Sequence, residues 1–320
     1  MKRVLVYEYL SAGGPLDATE ADAAELRAAG VAMRDAMVAD LSRVPGVTVA
    51  AASCGEVGLP PAGEAVSARP GESPLEFVTR LSPAYDAVWA VAPESGRTLE
   101  RLRDAVGAAR WLGCDAASIR LTASKQATIG RLVAHGINTP LVCMTDPRSC
   151  CWVVKPDDGA GCTASRLHPR VDAAKADWTE RVRNGRRATL EPWVEGHALS
   201  LSMLCAGGRA QLLSVNRQSI TVEDDGTLRF DGVDVAAVTT ADPRMPLFER
   251  LVADVANAIP GLAGFVGIDL VWHAEHGPVV IEVNPRVTCA YVGLSAALGR
   301  NVAADMLDLQ PTGERELAGA

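Results

Sequence analysis

The chain has 320 residues, 48% of them apolar and 22% charged, enough for a large core spread over two or three domains. Its formal net charge of −8 argues against non-specific nucleic-acid binding, which needs a basic surface. No apolar run approaches the ~20 residues that span a bilayer, and the apolar start ends at Glu8, too short for a signal peptide. The expected location is therefore the cytoplasm, with no membrane partner.

The first third alternates strand and helix patterns. "RVLVYEY" (3–9) reads as a continuous apolar strand. A long amphipathic helix follows from about Thr19 to Val44, with Thr19 and Asp22 in a capping-box pattern and Leu26, Met33, Met37 and Leu41 on one face. "GVTVAAA" (46–52) and "YDAVWAVAP" (85–93) are the next strands, separated by a Pro/Gly-rich loop. Ser73-Pro74-Leu75-Glu76 then opens a helix, with cap, first-turn proline and reaching glutamate all in place. Strands separated by helices predict a parallel sheet covered on both faces, so residues 1–115 form one α/β lobe.

From Thr122 a helix runs to Gly136, and "CWVVKP" (151–156) is a short strand entering a polar loop. A polar helix (172–184) and a strand "RATLEPWVEG" (187–196) come next. Strand patterns then dominate up to a helix at 246–258, a final strand pair, and a C-terminal helix around 293–307. Eight cysteines and five histidines are scattered apart from Cys150-Cys151, so no zinc site is visible and the thiols read as small buried side chains in a reducing compartment.

The final strand pair carries the chemistry. "GFVGIDLVWHAEHGPVVIEVNPR" reads as a β-hairpin joined through Ala274–Gly277. With Trp272 facing Val279, the register sets Asp269 opposite Glu282, and Asn284 shares the face of Glu282. Ile268, Leu270, Ile281 and Val283 then point to the core. Two like charges ~4 Å apart repel by about 4 kcal/mol at an effective dielectric of ~20. Something cationic should sit between them, and an oxygen-only ligand set favours magnesium or manganese. A protonated acid, or a lysine at the sheet edge, would also relieve the repulsion.

Two lysines bear on this. Lys155 ends an apolar strand immediately before a loop whose Gly159 and Gly161 let backbone amides approach an anion. Lys125 lies in the first turn of the preceding helix. The loop is not a Walker motif, and the first strand lacks a G-x-G-x-x-G fingerprint.

In this order, "TASKQ", "WVVKPDDGAGCTAS", "LEPWVEGHALSLSM" and "GIDLVW…VVIEVNPR" resemble the ATP-grasp superfamily of carboxylate–amine ligases. The resemblance spans roughly residues 120–300 and implies an α/β fold in three parts: a parallel-sheet lobe (1–115), a small lid (116–186) and an antiparallel-sheet subdomain (187–320). It implies that Lys125 and Lys155 contact ATP phosphates under the Gly159–Gly161 loop. Glu191, Trp193 and Val194 would supply the adenine strand, and Asp269, Glu282 and Asn284 the magnesium ligands. Glu195 is the nearest ribose acid, because Ala198 stands where relatives carry that glutamate. More narrowly, "VYEYLSAGG", "SVNRQSI" and "NPRVTCAYVGL" look like the branch containing tyramine–glutamate ligase of methanofuran biosynthesis, although Cys289-Ala290 departs from its Thr-Ser.

The activity so implied joins an amino acid's carboxylate to an amine through an acyl phosphate. Arg286 and Arg217 are the candidates to stabilise that intermediate, since a planar fork suits phosphate and carboxylate. A strand-end ion pair is the plain alternative for Arg286. Glu8 and Tyr9, at the carboxyl end of the first strand, are candidates for amine recognition. Tyr291 either lines the same pocket or is a buried tyrosine with one hydrogen bond. Small amino-acid and amine substrates are the expected partners, and a homodimer stays open. Another ligase of the superfamily, of the D-alanine–D-alanine or polyglutamate-adding type, and a catalytically silent nucleotide-binding protein are the competing readings.

Overall fold

The computed structural model describes residues 1–16, 20–145, 151–159 and 162–309. The first lobe runs β1 (Lys2–Glu8), α1 (Glu20–Ser42), β2 (Val47–Ala52), β3 (Glu64–Val66), α2 (Pro74–Leu81), β4 (Ala87–Val91) and α3 (Thr98–Val106). Its sheet has the order β3-β2-β1-β4, with every pair parallel. Alternate residues of β1 enter two different cores, Val4 and Val6 in one and Leu5 and Tyr7 in the other. That is why the run is apolar without a break. Strand β1 lies between β2 and β4, so the winding reverses there and a crevice opens at the carboxyl ends of β1 and β4. Glu8 ends β1 at that crevice, and Glu94 follows β4.

The capping box on α2 forms as its residues require. Ser73 Oγ accepts from the Glu76 amide at 3.3 Å, and Glu76 accepts from the Ser73 amide at 2.9 Å. The cap expected at Thr19 lies outside the described residues. Strand β3 sits inside the stretch expected to be loop; three residues are too few to show a period.

The middle region holds α4 (Ala116–Thr122), α5 (Lys125–Ala134), β5 (Trp152–Pro156), β6 (Arg166–His168), α6 (Val171–Arg183) and β7 (Ala188–Pro192). The helix expected from Thr122 starts three residues later, at Lys125: a separate helix, α4, ends at Thr122, and Ser124 caps α5 by accepting from the Ala127 amide. Strands β6, β5 and β7 form an antiparallel sheet, with Lys155 opposite Thr189. The strand expected over 187–196 therefore stops at Pro192. It also bonds within this small sheet, beyond the expected boundary at residue 186.

The last region contains β8 (His197–Ala206), β9 (Arg209–Val222), β10 (Leu228–Val238), α7 (Met245–Ala258), β11 (Gly264–His273), β12 (Gly277–Asn284), α8 (Leu294–Leu298) and α9 (Val302–Asp308). The strands make an antiparallel sheet of order β10-β9-β8-β11-β12. The expected C-terminal helix breaks at Gly299, whose φ of 64° is left-handed, and Asn301 caps the next segment. Helix α7 lays Phe248, Leu251, Val252 and Val255 in one cluster with Leu199, Leu201, Ile268 and Leu270. Leu5, Tyr7 and Val88 of the first lobe join that cluster, so one continuous core fixes the lobe against the large sheet. Among the described residues no helix is long and apolar enough to cross a membrane.

Candidate functional site

The β11–β12 hairpin turns in three residues, Ala274 to His276, because Gly277 takes a φ of +68° that closes the turn early. Trp272 consequently faces Pro278, and the Val279 pairing expected for it is corrected by one residue. A β-bulge at Ile281 takes up the difference, so Asp269 still pairs with Glu282 and Gly267 with Asn284. The bulge also moves Ile281 off the main core. Val280 and Val283 stay in it, while Ile281 packs with Val279, Val194 and Cys143.

Asp269 is held from two sides. Gln218 Nε2 donates to its Oδ1 at 2.8 Å, and Asn284 Nδ2 donates to its Oδ2 at 2.9 Å. Burial, then the facing charge of Glu282, pushes the Asp269 carboxyl up to about 6. Glu282 Oε1 accepts from Lys125 Nζ at 3.2 Å. In this structure a lysine thus answers part of the charge, as one of the open alternatives had it.

Lys125 reaches the hairpin because Asp157, at the exit of β5, grips the start of α5. Asp157 accepts from Ser124 Oγ and the Gln126 amide, while its carbonyl accepts from the Lys125 amide at 3.0 Å. A carboxylate at a helix N-terminus is favoured by the free amides there. Lys125 Nζ also donates to the Gly159 carbonyl at 2.7 Å, tying the loop to the face that carries Glu282. Burial works against its ammonium, but the charge and hydrogen bond of Glu282 outweigh it and hold its pKa above the ordinary lysine value. Gly161 lies outside the described residues. Cys162, from the same loop, escaped the sequence reading. Burial, then the charges of Asp269 and Glu282, lifts its thiol to about 11.

Lys155 Nζ lies 2.8 Å from Glu191 Oε2, both side chains buried. Glu191 Oε1 is buried without a hydrogen-bond partner. Trp193 is half-buried and gives its amide to the Cys151 carbonyl, Val194 is buried, and Glu195 is exposed. Trp193, Glu195, Gly196 and His197 border a cavity of about 540 Å³ together with Trp272 and His273. Any side chain at Gly196 would collide with the Trp272 carbonyl, so close passage of this segment over the hairpin requires glycine.

The remaining candidates divide. Arg286 is half-buried in a two-point pair with the buried Glu94, Nε to Oε1 at 2.8 Å and the second terminal nitrogen to Oε2 at 3.1 Å. Burial disfavours its charge and Glu94 more than restores it. Glu8 folds back on its own turn, accepting from the Ser11 amide at 2.6 Å and the Leu10 amide at 3.1 Å. Burial raises its carboxyl pKa against those bonds, and a Cβ at Gly30 would come within 2.6 Å of it. Tyr9 is buried beside it against Gly14. Arg217 is exposed and alternates onto the face opposite Gln218, so the strand does not bring it to the carboxylates. The residue of that motif that touches Asp269 is Gln218. Tyr291 is a core residue in place of a pocket residue: its hydroxyl donates to Asp40 at 2.8 Å, and its ring packs edge-on against Trp89 and Phe265.

The donor set around Asp269 fits a hard divalent ion: two facing carboxylates and an amide oxygen, with no sulfur or nitrogen ligand among the three. Cys143, His273 and His276 bring their ligand atoms within 4.8 Å of one another. The two rings, however, stack 4.7 Å apart at 28°, and His273 Nδ1 accepts the Glu275 and His276 amides. That nitrogen of His273 is thus already engaged with backbone donors. For a nucleotide, the orphaned Glu191 Oε1 offers an acceptor and Lys125 and Lys155 offer cations.

A family model described as an ATP-grasp domain matches residues 122–290, and one described as a pre ATP-grasp 3 domain matches 48–119. No curated protein matches the chain. Among solved structures, an ATP-grasp superfamily protein from Archaeoglobus fulgidus superimposes with a TM-score of 0.70 at 22% identity, covering 96% of this chain and 88% of that one. An L-amino acid ligase from Bacillus licheniformis gives 0.67 at 16%, covering 96% and 73%. A D-alanine–D-alanine ligase from Bacillus anthracis gives 0.62 at 14%, covering 96% of each. At these identities the likeness establishes a shared fold.

Proposed function

The chain belongs to the family of ATP-grasp domains, and from that membership we propose an ADP-forming ligase that joins a carboxylate to an amine through an acyl phosphate. The observation that carries the reading is the pair Asp269 and Glu282, facing each other across two strands with Lys125 drawn against them. A carboxylate is a poor acylating agent because oxide would have to leave. Phosphorylation by ATP supplies a better leaving group, and that step asks mainly for charge to be neutralised in place.

Asp269, Glu282 and Asn284 would hold magnesium or manganese. Such an ion, when bound, neutralises the terminal phosphates and orients them. Lys125 and Lys155 hold the phosphates from the other side, with the Gly159 loop above. Glu191 Oε1 accepts a hydrogen bond from the nucleotide, while Trp193 and Val194 flank the base and Glu195 stands nearest for the ribose. To carry the developing charge of the acyl phosphate and its tetrahedral successor, Arg286 would need to turn from its pair with Glu94, and Arg217 to move from the opposite face.

The finer reading is glutamate as acid and tyramine or tyrosine as amine, in assembly of a methanofuran- or methylofuran-type cofactor. It is supported by "VYEYLSAGG", "SVNRQSI" and "NPRVTCAYVGL". The amino-acid ligases among the structural relatives agree with the broader class. Incubation with ATP, magnesium, glutamate and each amine, followed by mass spectrometry, should give the amide with ADP and phosphate. Stoichiometric AMP and pyrophosphate would exclude the acyl-phosphate route. An amide from D-alanine or oligoglutamate alone would move the chain to another branch.

A further inference from the structure

We propose that Glu94 is a positioning residue that keeps Arg286 away from Asp269 and Glu282, so that those carboxylates stay available to a divalent cation. The inference rests on reading Asp269 and Glu282 as cation ligands, and assigns a role to a residue outside that set.

Arg286 follows Asn284 by two positions, just past the end of the strand that carries Glu282 and Asn284, and its side chain is only 10% exposed. A guanidinium is planar, permanently charged and suited to bridging two carboxylates. Left alone beside two half-buried acids, Arg286 would satisfy them itself and compete with a metal ion. Glu94 prevents this by geometry. Its two oxygens engage Nε and one terminal nitrogen at 2.8 and 3.1 Å, while the other terminal nitrogen donates to the Val287 carbonyl at 3.1 Å. All three guanidinium nitrogens therefore have an acceptor away from the metal face.

The clamp is rigid because of where it comes from. Glu94 is 4% exposed and sits just past β4, on the crevice where the parallel sheet reverses its winding. The same turn gives the Gly96 amide to Asp158 Oδ2 at 3.2 Å, so it is braced against the glycine-bearing loop as well. Lys125 provides the contrast. It does pair with Glu282, yet only through one bond of 3.2 Å, and a flexible ammonium can turn to an incoming phosphate.

The test is calorimetric titration of magnesium into the full chain with a non-hydrolysable ATP analogue, a readout independent of turnover. Glu94→Gln keeps the shape and removes the charge. It is expected to raise the magnesium concentration for half-saturation by about 10- to 100-fold, the usual effect of losing an outer-sphere partner. Glu94→Gln with Arg286→Met is expected to return it to near the wild-type value, since the competing cation is gone. If Glu94→Gln does not fold, Glu94→Asp, shorter by one methylene, is expected to give a smaller rise in the same direction. Wild-type magnesium dependence in a folded Glu94 variant would overturn the role while leaving the metal reading intact. So would a double variant as impaired as the single one, because a scaffold defect is not cured by removing Arg286. Nucleotide binding that ignores magnesium in the wild type would overturn the metal reading and this role with it.

Discussion

Asp269 stands directly across from Glu282 even though the hairpin carrying them is one residue out of step at its tip. The short turn at Gly277 creates the offset, and the bulge at Ile281 cancels it before the strands reach the carboxylates. The bulge thus does two things: it restores the pair, and it frees Ile281 from the main core. Bulges that re-aim a side chain beside a site are a recurrent device.

If that pair holds the cation, Glu282→Gln should lower ligase turnover by roughly 10²-fold or more, as loss of a focused charge at a reacting phosphoryl does. The fold should survive, because Glu282 is only part-buried at the open face of the sheet. ADP release and a melting curve on the same sample check both halves. Near-normal turnover would remove Glu282 from the site.

Stability should fall with pH in the ion-free protein. The Asp269 carboxyl titrates at about 6 in the folded chain, against about 4 when unfolded. Between those values the native state holds the extra proton, so stability drops as pH rises through the window, and the penalty is complete above it. Asp269→Asn should flatten the slope, leaving the part due to the buried Glu8 carboxyl, and be more stable than wild type at neutral pH by about 1–3 kcal/mol. Melting temperatures at acid and neutral pH without divalent ions decide the matter; an unchanged slope in the variant would refute it.

Lys155→Met should cost about 3–5 kcal/mol, because it leaves Glu191 buried and unpaired. Removing both charges, with Glu191→Leu added, should recover much of that loss while abolishing nucleotide binding. Denaturant melts and nucleotide titration separate the two effects. A mild single-variant cost would show that Glu191 escapes to water.

Tyr291→Phe should lower stability by about 1 kcal/mol through its lost bond to Asp40. Steady-state kinetics should show unchanged KM values for acid and amine, since the ring faces Trp89 and Phe265. A large rise in either KM would return Tyr291 to the substrate pocket.

Much of the fold was legible along the chain. Buried strands such as Val4–Tyr7, the capping box at Ser73, and the lysine-then-glycine exit of β5 all declare themselves within a few residues. Errors arose where a short signal met a tertiary constraint. The helix expected across Thr122–Gly136 starts only at Lys125 because Asp157, far along the chain, claims the amides and hydroxyl around Ser124. In "NRQ" the chemically louder residue is Arg217, yet strand alternation turns Gln218 toward Asp269.

By itself the sequence determined the alternation of strands and helices, the facing acids and the two lysines, because periodicity and cross-strand spacing are set by neighbours in the chain. Only the tertiary structure decided that Arg286 answers to Glu94 and that Tyr291 answers to Asp40. Those pairings join residues of separate lobes. They depend on which strands border the crevice beside β1 and on how one core presses the lobe against the large sheet, and no local pattern carries that information.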